Sequence, residues 1–281
     1  MPKQLAVELE HEASWPADFL DLAHRELRTL VDFQRERQRI ERLGRDDWQF
    51  KIDLPANPHK PAYETLLEDL ELLLLPHLLV AYHCTRLTPP EAVDIRSNGL
   101  RRLDAALVAR KLDRCHAEGL MTEAVYGVLK SSPHIAGNLG NPQAQRAGHL
   151  CYCPNRSTLL KCGHVSRLFK SWGGEAIYWG HEDEPEIGQA LKSIGTPCIL
   201  RCHVPFSDSK HSRRFSDHFV AHLIRHEVEY PEPGPTFDFI ANRDLAGTKV
   251  AALIGFSEAE FSTLTEYQSW PLKDQPLAGA S

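Results

Sequence analysis

Apolar residues recur at helical spacing through Phe19, Leu20, Leu22, Ala23, Leu27, Leu30, Val31 and Phe33, and charges take over from Arg35 to Arg45. With Pro16 where a first helical turn tolerates it, this pattern predicts one long amphipathic helix. The prolines at 55, 58 and 61 break it, and Leu66, Leu67, Leu70, Leu73 and Leu74 predict a second helix over 63–74. The run over 72–82 is too apolar for a surface loop and too interrupted by Pro76 for one helix, so its second half reads as a buried strand.

Beyond residue 78 the pattern changes to short strands separated by helices and loops, which predicts an α+β fold. Pro89-Pro90-Glu91 opens a helix that Gly99 closes, and Asp104 caps another that runs to about Glu118. A helix over 121–129 follows, then a loop over 131–147 whose Gly, Asn and Pro content suits a segment that folds over a ligand. Residues 148–153 read as a strand, 157–162 and 165–172 as short helices, and 175–179 as an aromatic strand opened by Glu175. Strands are also predicted over 198–204, 236–241 and 249–254, with helices over 185–194 and 216–227. The expected division is a helical N-terminal extension (1–75), an α+β domain (76–260) and a tail (261–281) that is loose after Pro271.

The 281 residues, 42% hydrophobic and 25% charged, describe a globular chain of one large domain, or of one domain with an appendage. A formal net charge of -6 argues against a uniformly basic nucleic-acid binder. A local basic groove is compatible with it: Arg96, Arg101, Arg102, Arg110, Lys111 and Arg114 are close in sequence, and they fit a solvated helix face as well. No stretch reaches the ~18 apolar residues of a membrane span, and the N-terminus lacks the charged-then-apolar pattern of a signal peptide. A cytoplasmic protein with no membrane partner is therefore expected. Seven cysteines without framework spacing fit reduced thiols.

Two segments carry candidate chemistry. In the strand ending Tyr82-His83-Cys84-Thr85-Arg86-Leu87, His83 and Thr85 share one face, so an imidazole and a hydroxyl can reach the same ligand while Cys84 points away. Glu175 follows Trp172-Gly173-Gly174, a sequence that permits a tight turn close to a ligand, and opens an otherwise apolar segment. Each element alone also fits a structural role: a buried strand in the first case, a solvated strand end in the second.

With both segments in one chain, the sequence resembles the ADP-ribosyltransferase superfamily, in the branch with a histidine on the first core strand and a glutamate after a substrate-recognition turn. The resemblance is carried by Tyr82-His83-Cys84-Thr85, Asn98-Gly99-Leu100, the segment 149–153 and Gly173-Gly174-Glu175. It covers roughly 77–256 and excludes the N-terminal helices. It implies two small, split, mostly antiparallel sheets around a cleft that binds NAD as the ADP-ribose donor. It further implies Glu175 as the catalytic carboxylate, His83 and Thr85 on the nicotinamide ribose, and Gly99 at the helix end beside the dinucleotide. Tyr152 or Tyr178 is the implied stacking ring. Arg96, Arg86, Arg102 and Arg167 compete for an additional catalytic or pyrophosphate role, and Arg96 is the one carried forward. The implied activity is transfer of ADP-ribose to a macromolecule, protein or nucleic acid, by a toxin or defence effector whose helical extension meets an antitoxin, a regulatory partner or the target. Hydrolysis of NAD without an acceptor would use the same pocket.

Cysteine chemistry offers a competing expectation. Cys151-x-Cys153 followed by Cys162-x-His164 has the residue types of a zinc site, with Cys198, Cys202 and His203 as further ligands, and would describe a zinc-stabilised binding module. The same cysteines also fit small buried hydrophobes.

Overall fold

The structure, a computed structural model, describes residues 4–46, 54–132, 147–209, 215–228 and 238–276. The loop expected over 131–147 lies almost wholly outside them. In chain order the elements begin with β1 (Ala6–Val7), α1 (Ala17–Arg25), α2 (Leu27–Asp46), α3 (Lys60–Leu74) and β2 (Leu78–Leu87). Next come α4 (Pro89–Asn98), α5 (Ala105–Ala117), α6 (Glu123–Ser131), β3 (Leu150–Tyr152), α7 (Arg156–Leu159) and α8 (Cys162–Lys170). Then follow α9 (Glu175–Tyr178), α10 (Pro185–Ser193), β4 (Thr196–Pro205), α11 (Phe215–Leu223), β5 (Phe239–Ala241), β6 (Val250–Gly255) and α12 (Ala259–Thr265). The architecture is α+β, as the hydrophobic pattern predicts.

Two expected elements are corrected. The single long N-terminal helix is two, parted at Glu26, which leaves the helical region at φ -98° and ψ 16°. Its N–H still bonds the Leu22 carbonyl at 3.0 Å, so the axis bends rather than ends. The expected strand over 175–179 is the short helix α9, whose Ile177 and Tyr178 N–H groups bond the Gly174 carbonyl at 3.0 and 3.1 Å. Ala176, Ile177 and Tyr178 are all buried, and a short continuous apolar run does not distinguish a buried strand from a buried helical turn.

The chain forms two compact units. The first is Met1–Leu79 with Pro205–Ser207 and His211–Thr236; the second is Val80–Val204 with Asp208–Lys210 and Phe237–Ser281. The expected division at 76 and 260 does not coincide with these units. α11 joins the N-terminal helices because Phe219 packs on Trp15, with ring centroids 4.7 Å apart, and on Phe19 at 5.5 Å. The start of the expected tail belongs to the second unit, where Phe261 and Trp270 are buried against Phe169.

In the first unit, β1 pairs in parallel with Leu78 and Leu79. Leu66, Leu70 and Leu74 of α3 are buried, as the leucine spacing predicts, and Glu71 is buried among them. Ser216 N–H donates to Glu71 Oε2 at 3.3 Å, while Oε1 has no hydrogen-bond partner among the described residues. Burial, opposed by the Ser216 bonds and reinforced by the charge of Asp217, raises the Glu71 pKa from 4.5 to about 7. The fold thus favours the neutral acid. Its contribution to stability is full below pH 4.5 and is lost as the pH rises through about 7. Glu71→Gln, which keeps the shape and removes the titration, is expected to change stability little at pH 4.5 and to raise it by up to about 3 kcal/mol above pH 7. Urea unfolding at the two pH values reads this; equal effects at both would refute it.

In the second unit, β2, β4 and β6 lie side by side in that order, and β4 and β6 run antiparallel with a register shift between Arg201 and Cys202. β3 and β5 form a second, antiparallel pair. Reciprocal Tyr82–Cys153 backbone bonds of 2.8 Å tie β2 to the end of β3. β2 is buried along its length except at His83, which is half-buried. One apolar core lies among α5, α6 and α10 around Leu112, Leu129, Trp172 and Leu191. The other joins Val80, Tyr82 and Ile199 of the sheet to Phe169 and Phe261.

Candidate functional site

A cavity of about 1130 Å³ lies in the second unit, walled by β2, α4, α5, β3 and the 173–178 segment. The helix α4 is defined sharply at both ends. Thr88 accepts from the Glu91 N–H while Glu91 returns a bond to the Thr88 N–H, a capping box, and Gly99 ends the helix at φ +85°. A Cβ at Gly99 would meet the Leu245 carbonyl oxygen at 1.8 Å, so only glycine lets the helix end pack against 245–247. The structure brings His83, Thr85, Gly99, Tyr152 and Glu175 to this one cavity. Arg96 is not among the lining residues: Glu91, Asp94 and Ile95 form the inner face of α4, and Arg96, one residue on, is exposed. Arg96, the arginine carried forward for the dinucleotide, thus lies off the lining of this cavity.

His83 Nδ1 lies 2.9 Å from the Cys151 carbonyl oxygen. A carbonyl only accepts, so Nδ1 carries the proton and the neutral ring has its lone pair on Nε2. Burial lowers the proton affinity of His83; the bond to Cys151 opposes this and the charge of Lys111 adds to it. His83 is thereby a hydrogen-bond acceptor at neutral pH. The Thr85 hydroxyl donates to the Arg86 carbonyl at 3.3 Å. Tyr152 is 2% exposed and packs edge-on between His83 (5.9 Å) and Phe239 (6.1 Å). Its hydroxyl has no hydrogen-bond partner among the described residues, and burial holds its pKa well above the usual phenol value. An enclosed ring offers little open face for stacking.

Glu175 is half-buried in the cavity wall at the first position of α9. The turn before it uses φ +95° at Gly173 and +70° at Gly174, and a Cβ on Gly173 would meet the Ile177 side chain at 2.6 Å. The charge of Glu175 acts on Arg167, whose guanidinium bonds Glu182 at 2.8–3.0 Å and lies over the rings of Tyr178 and Trp179 at 5.5 and 5.7 Å.

A third charged group was not recognised as part of the site from sequence. Glu91 Oε2 accepts from the Thr88 N–H (2.9 Å), the Thr88 hydroxyl (3.1 Å) and Trp172 Nε1 (2.9 Å). Its other oxygen faces Lys111 Nζ at 3.0 Å, and the ammonium lies 5.1 Å from the Trp172 ring centroid. Burial raises the Glu91 pKa, but Lys111 and the Thr88 and Trp172 donors outweigh it, so the carboxyl is held ionised below its ordinary range. One signal was available: Val108, Leu112 and Cys115 form the buried stripe of α5, and Lys111 falls on it at i+3.

Of the other cations, Arg114 pairs with Glu118 at 3.1 Å, and Arg101 and Arg110, which also line the cavity, are exposed. Arg86 bonds backbone carbonyls, and Arg102 bonds Asp244 Oδ1 at 3.1 Å and the Asn242 carbonyl at 3.0 Å. No group of three or more His, Cys, Asp or Glu side chains is arranged to hold a metal among the described residues, which do not include the His164 side chain. Cys84 and Cys153 share an apolar core, where burial and their mutual proximity push the Cys84 thiol pKa up. Apart from the cavity, Ser132 Oγ lies 2.8 Å from His181 Nε2 and His181 Nδ1 lies 2.7 Å from Glu184. Ser132 and His181 are both buried, so this chain ties the end of α6 to the turn before α10 instead of exposing a nucleophile.

Compared with protein-family models, with curated proteins and with solved structures, the chain matches none. Among the described residues, no helix is long and apolar enough to cross a membrane.

Proposed function

We propose that the chain is an ADP-ribosyltransferase that takes ADP-ribose from NAD and passes it to a macromolecule, protein or nucleic acid. The observation that carries this reading is the convergence of His83, Thr85 and Glu175, from separate segments of the sequence, on one cavity. At about 1130 Å³ it slightly exceeds the ~300–1,000 Å³ typical of small-molecule pockets, which is room enough for a dinucleotide.

The chemistry follows from charge. Nicotinamide departs as a neutral molecule from a cationic glycoside, so bond cleavage needs stabilisation of an oxocarbenium-like carbon more than a strong acid. Glu175 would accept a hydrogen bond from the ribose 2'-hydroxyl and set its negative charge beside that carbon. His83, neutral with its lone pair on Nε2, would accept from another ribose hydroxyl, and Thr85 would fix the ring from the same strand face. The acceptor then attacks the carbon that nicotinamide has left.

The test uses purified protein and NAD labelled on the adenylate, with and without cell lysate. Nicotinamide release with label entering the protein or nucleic-acid fraction is the expected result and identifies the acceptor class. Release with all label remaining as free ADP-ribose would replace transfer by hydrolysis. Absence of release in every lysate would overturn the reading.

A further inference from the structure

We propose that Lys111 is the phosphate-holding residue of the cavity, its ammonium taking the pyrophosphate of the bound dinucleotide; this rests on the reading of the cavity as an NAD site. A dinucleotide enters with two phosphate charges, and a site that takes them out of bulk water must supply a cation for them. Of the arginines considered from sequence, Arg101 and Arg110 line the cavity but are exposed, Arg114 is paired with Glu118, and the rest are engaged or lie off it. Arg86 is buried on carbonyl oxygens, Arg102 is held by Asp244, Arg167 is held by Glu182, and Arg96 does not line the cavity.

Lys111 differs in position and in hydrogen-bond capacity. Its side chain is 22% exposed, it lines the cavity, and its charge is felt at His83. An ammonium has three donors, and the one recorded polar partner of Lys111 among the described residues is Glu91. Glu91 is itself immobilised, with three donors on its second oxygen, and Trp172 flanks the ammonium on another side. The flexible lysine stem is thereby ordered before any ligand arrives, so the rotamer entropy that a surface lysine loses on binding is already lost here. Glu91 acts as the positioning residue: its charge orients the ammonium without using the donors that a phosphate would take.

The test is calorimetric binding of ADP-ribose, which has the pyrophosphate and no scissile nicotinamide bond, and of nicotinamide riboside, which has no phosphate. Wild type, Lys111→Met and Lys111→Arg are compared at two salt concentrations, with melting temperatures taken alongside. The expected result is a loss of about 10- to 100-fold in ADP-ribose affinity for Lys111→Met, riboside affinity within about twofold, and substantial recovery in Lys111→Arg. The salt dependence of ADP-ribose binding should also diminish in Lys111→Met. ADP-ribose affinity unchanged by Lys111→Met, or equal losses for both ligands, would overturn the assignment of Lys111 while leaving the NAD site intact. Wild type that binds neither ligand would remove the NAD reading itself and this inference with it.

Discussion

Glu175→Gln is expected to slow nicotinamide release by about 10²- to 10³-fold while ADP-ribose affinity stays within about threefold. Glutamine preserves the length and the hydrogen-bonding oxygen of the side chain, so the contact to a ribose hydroxyl survives and the negative charge is lost. In the proposed mechanism the charge matters only as positive charge develops on the ribose carbon, and an interaction made only in the transition state appears in turnover and not in binding. The site tolerates this exchange structurally. Glu175 is half-buried, α9 starts from the Gly173-Gly174 turn, and Arg167 retains its bonds to Glu182. The melting temperature should therefore change little, which separates loss of chemistry from loss of fold. Single-turnover release of nicotinamide by the two proteins, paired with ADP-ribose titration, is the measurement. A variant that retains wild-type turnover would remove Glu175 from the catalytic role, and one that loses ADP-ribose affinity in parallel would make it a binding residue.

The parts of the site that were legible in the sequence are those governed by local rules. His83 and Thr85 both line the cavity, as side chains two apart on a strand can, although β2 is buried on both faces and Cys84, expected to point away, lines the cavity too. The ends of α4 and α5 follow from Thr88, Gly99 and Asp104, whose side chains or backbone act within four residues. What was not legible depends on long-range packing. Whether 175–178 is strand or helix is decided by whether those residues find a partner strand, and three adjacent buried apolar residues satisfy either case. Arg96 and Lys111 both read as surface cations; the docking of α4 against 245–247 turned one outward, and the burial of the α5 stripe turned the other inward. α11 lies within the expected α+β domain in sequence, between β4 and β5, yet packs with the first unit through Phe219, a contact that spacing alone does not encode. The capping-box pattern at Thr88 and Glu91 was readable as a helix start, but not as an anchor for a lysine twenty residues later.

Arg86→Met is expected to destabilise the second unit by about 3 kcal/mol or more, with Arg86→Lys recovering less than half of the loss. Arg86 is 3% exposed and has no carboxylate partner in the structure described. Its guanidinium instead donates to the carbonyls of Phe169 (2.9 Å), Lys192 (2.8 Å), Ile194 (3.0 Å) and Gly195 (2.7 Å), with Pro276 more distant at 3.5 Å. Apart from Pro276, these oxygens lie at the C-terminal ends of α8 and α10, where carbonyls lack intrahelical partners and the helix dipole favours a cation. One planar fork therefore caps two helices at once. Burial lowers the Arg86 pKa to about 10, which still leaves it charged at neutral pH. Methionine fills most of the volume but strands several buried acceptors, and a lysine ammonium has too few donors, in the wrong geometry, to reach both helix ends. The consequence extends to the site. Arg86 follows Thr85 on β2, and its contact at Phe169 holds the helix whose next residues lead through Trp172 to Glu175. At temperatures where the variant remains folded, the ribose-holding strand and the carboxylate segment should lose their fixed relation, so kcat falls along with stability. Urea unfolding gives the first quantity and nicotinamide release below the transition gives the second. A fall in stability with unchanged kcat would limit Arg86 to a capping role, and unchanged stability would refute the shared cap.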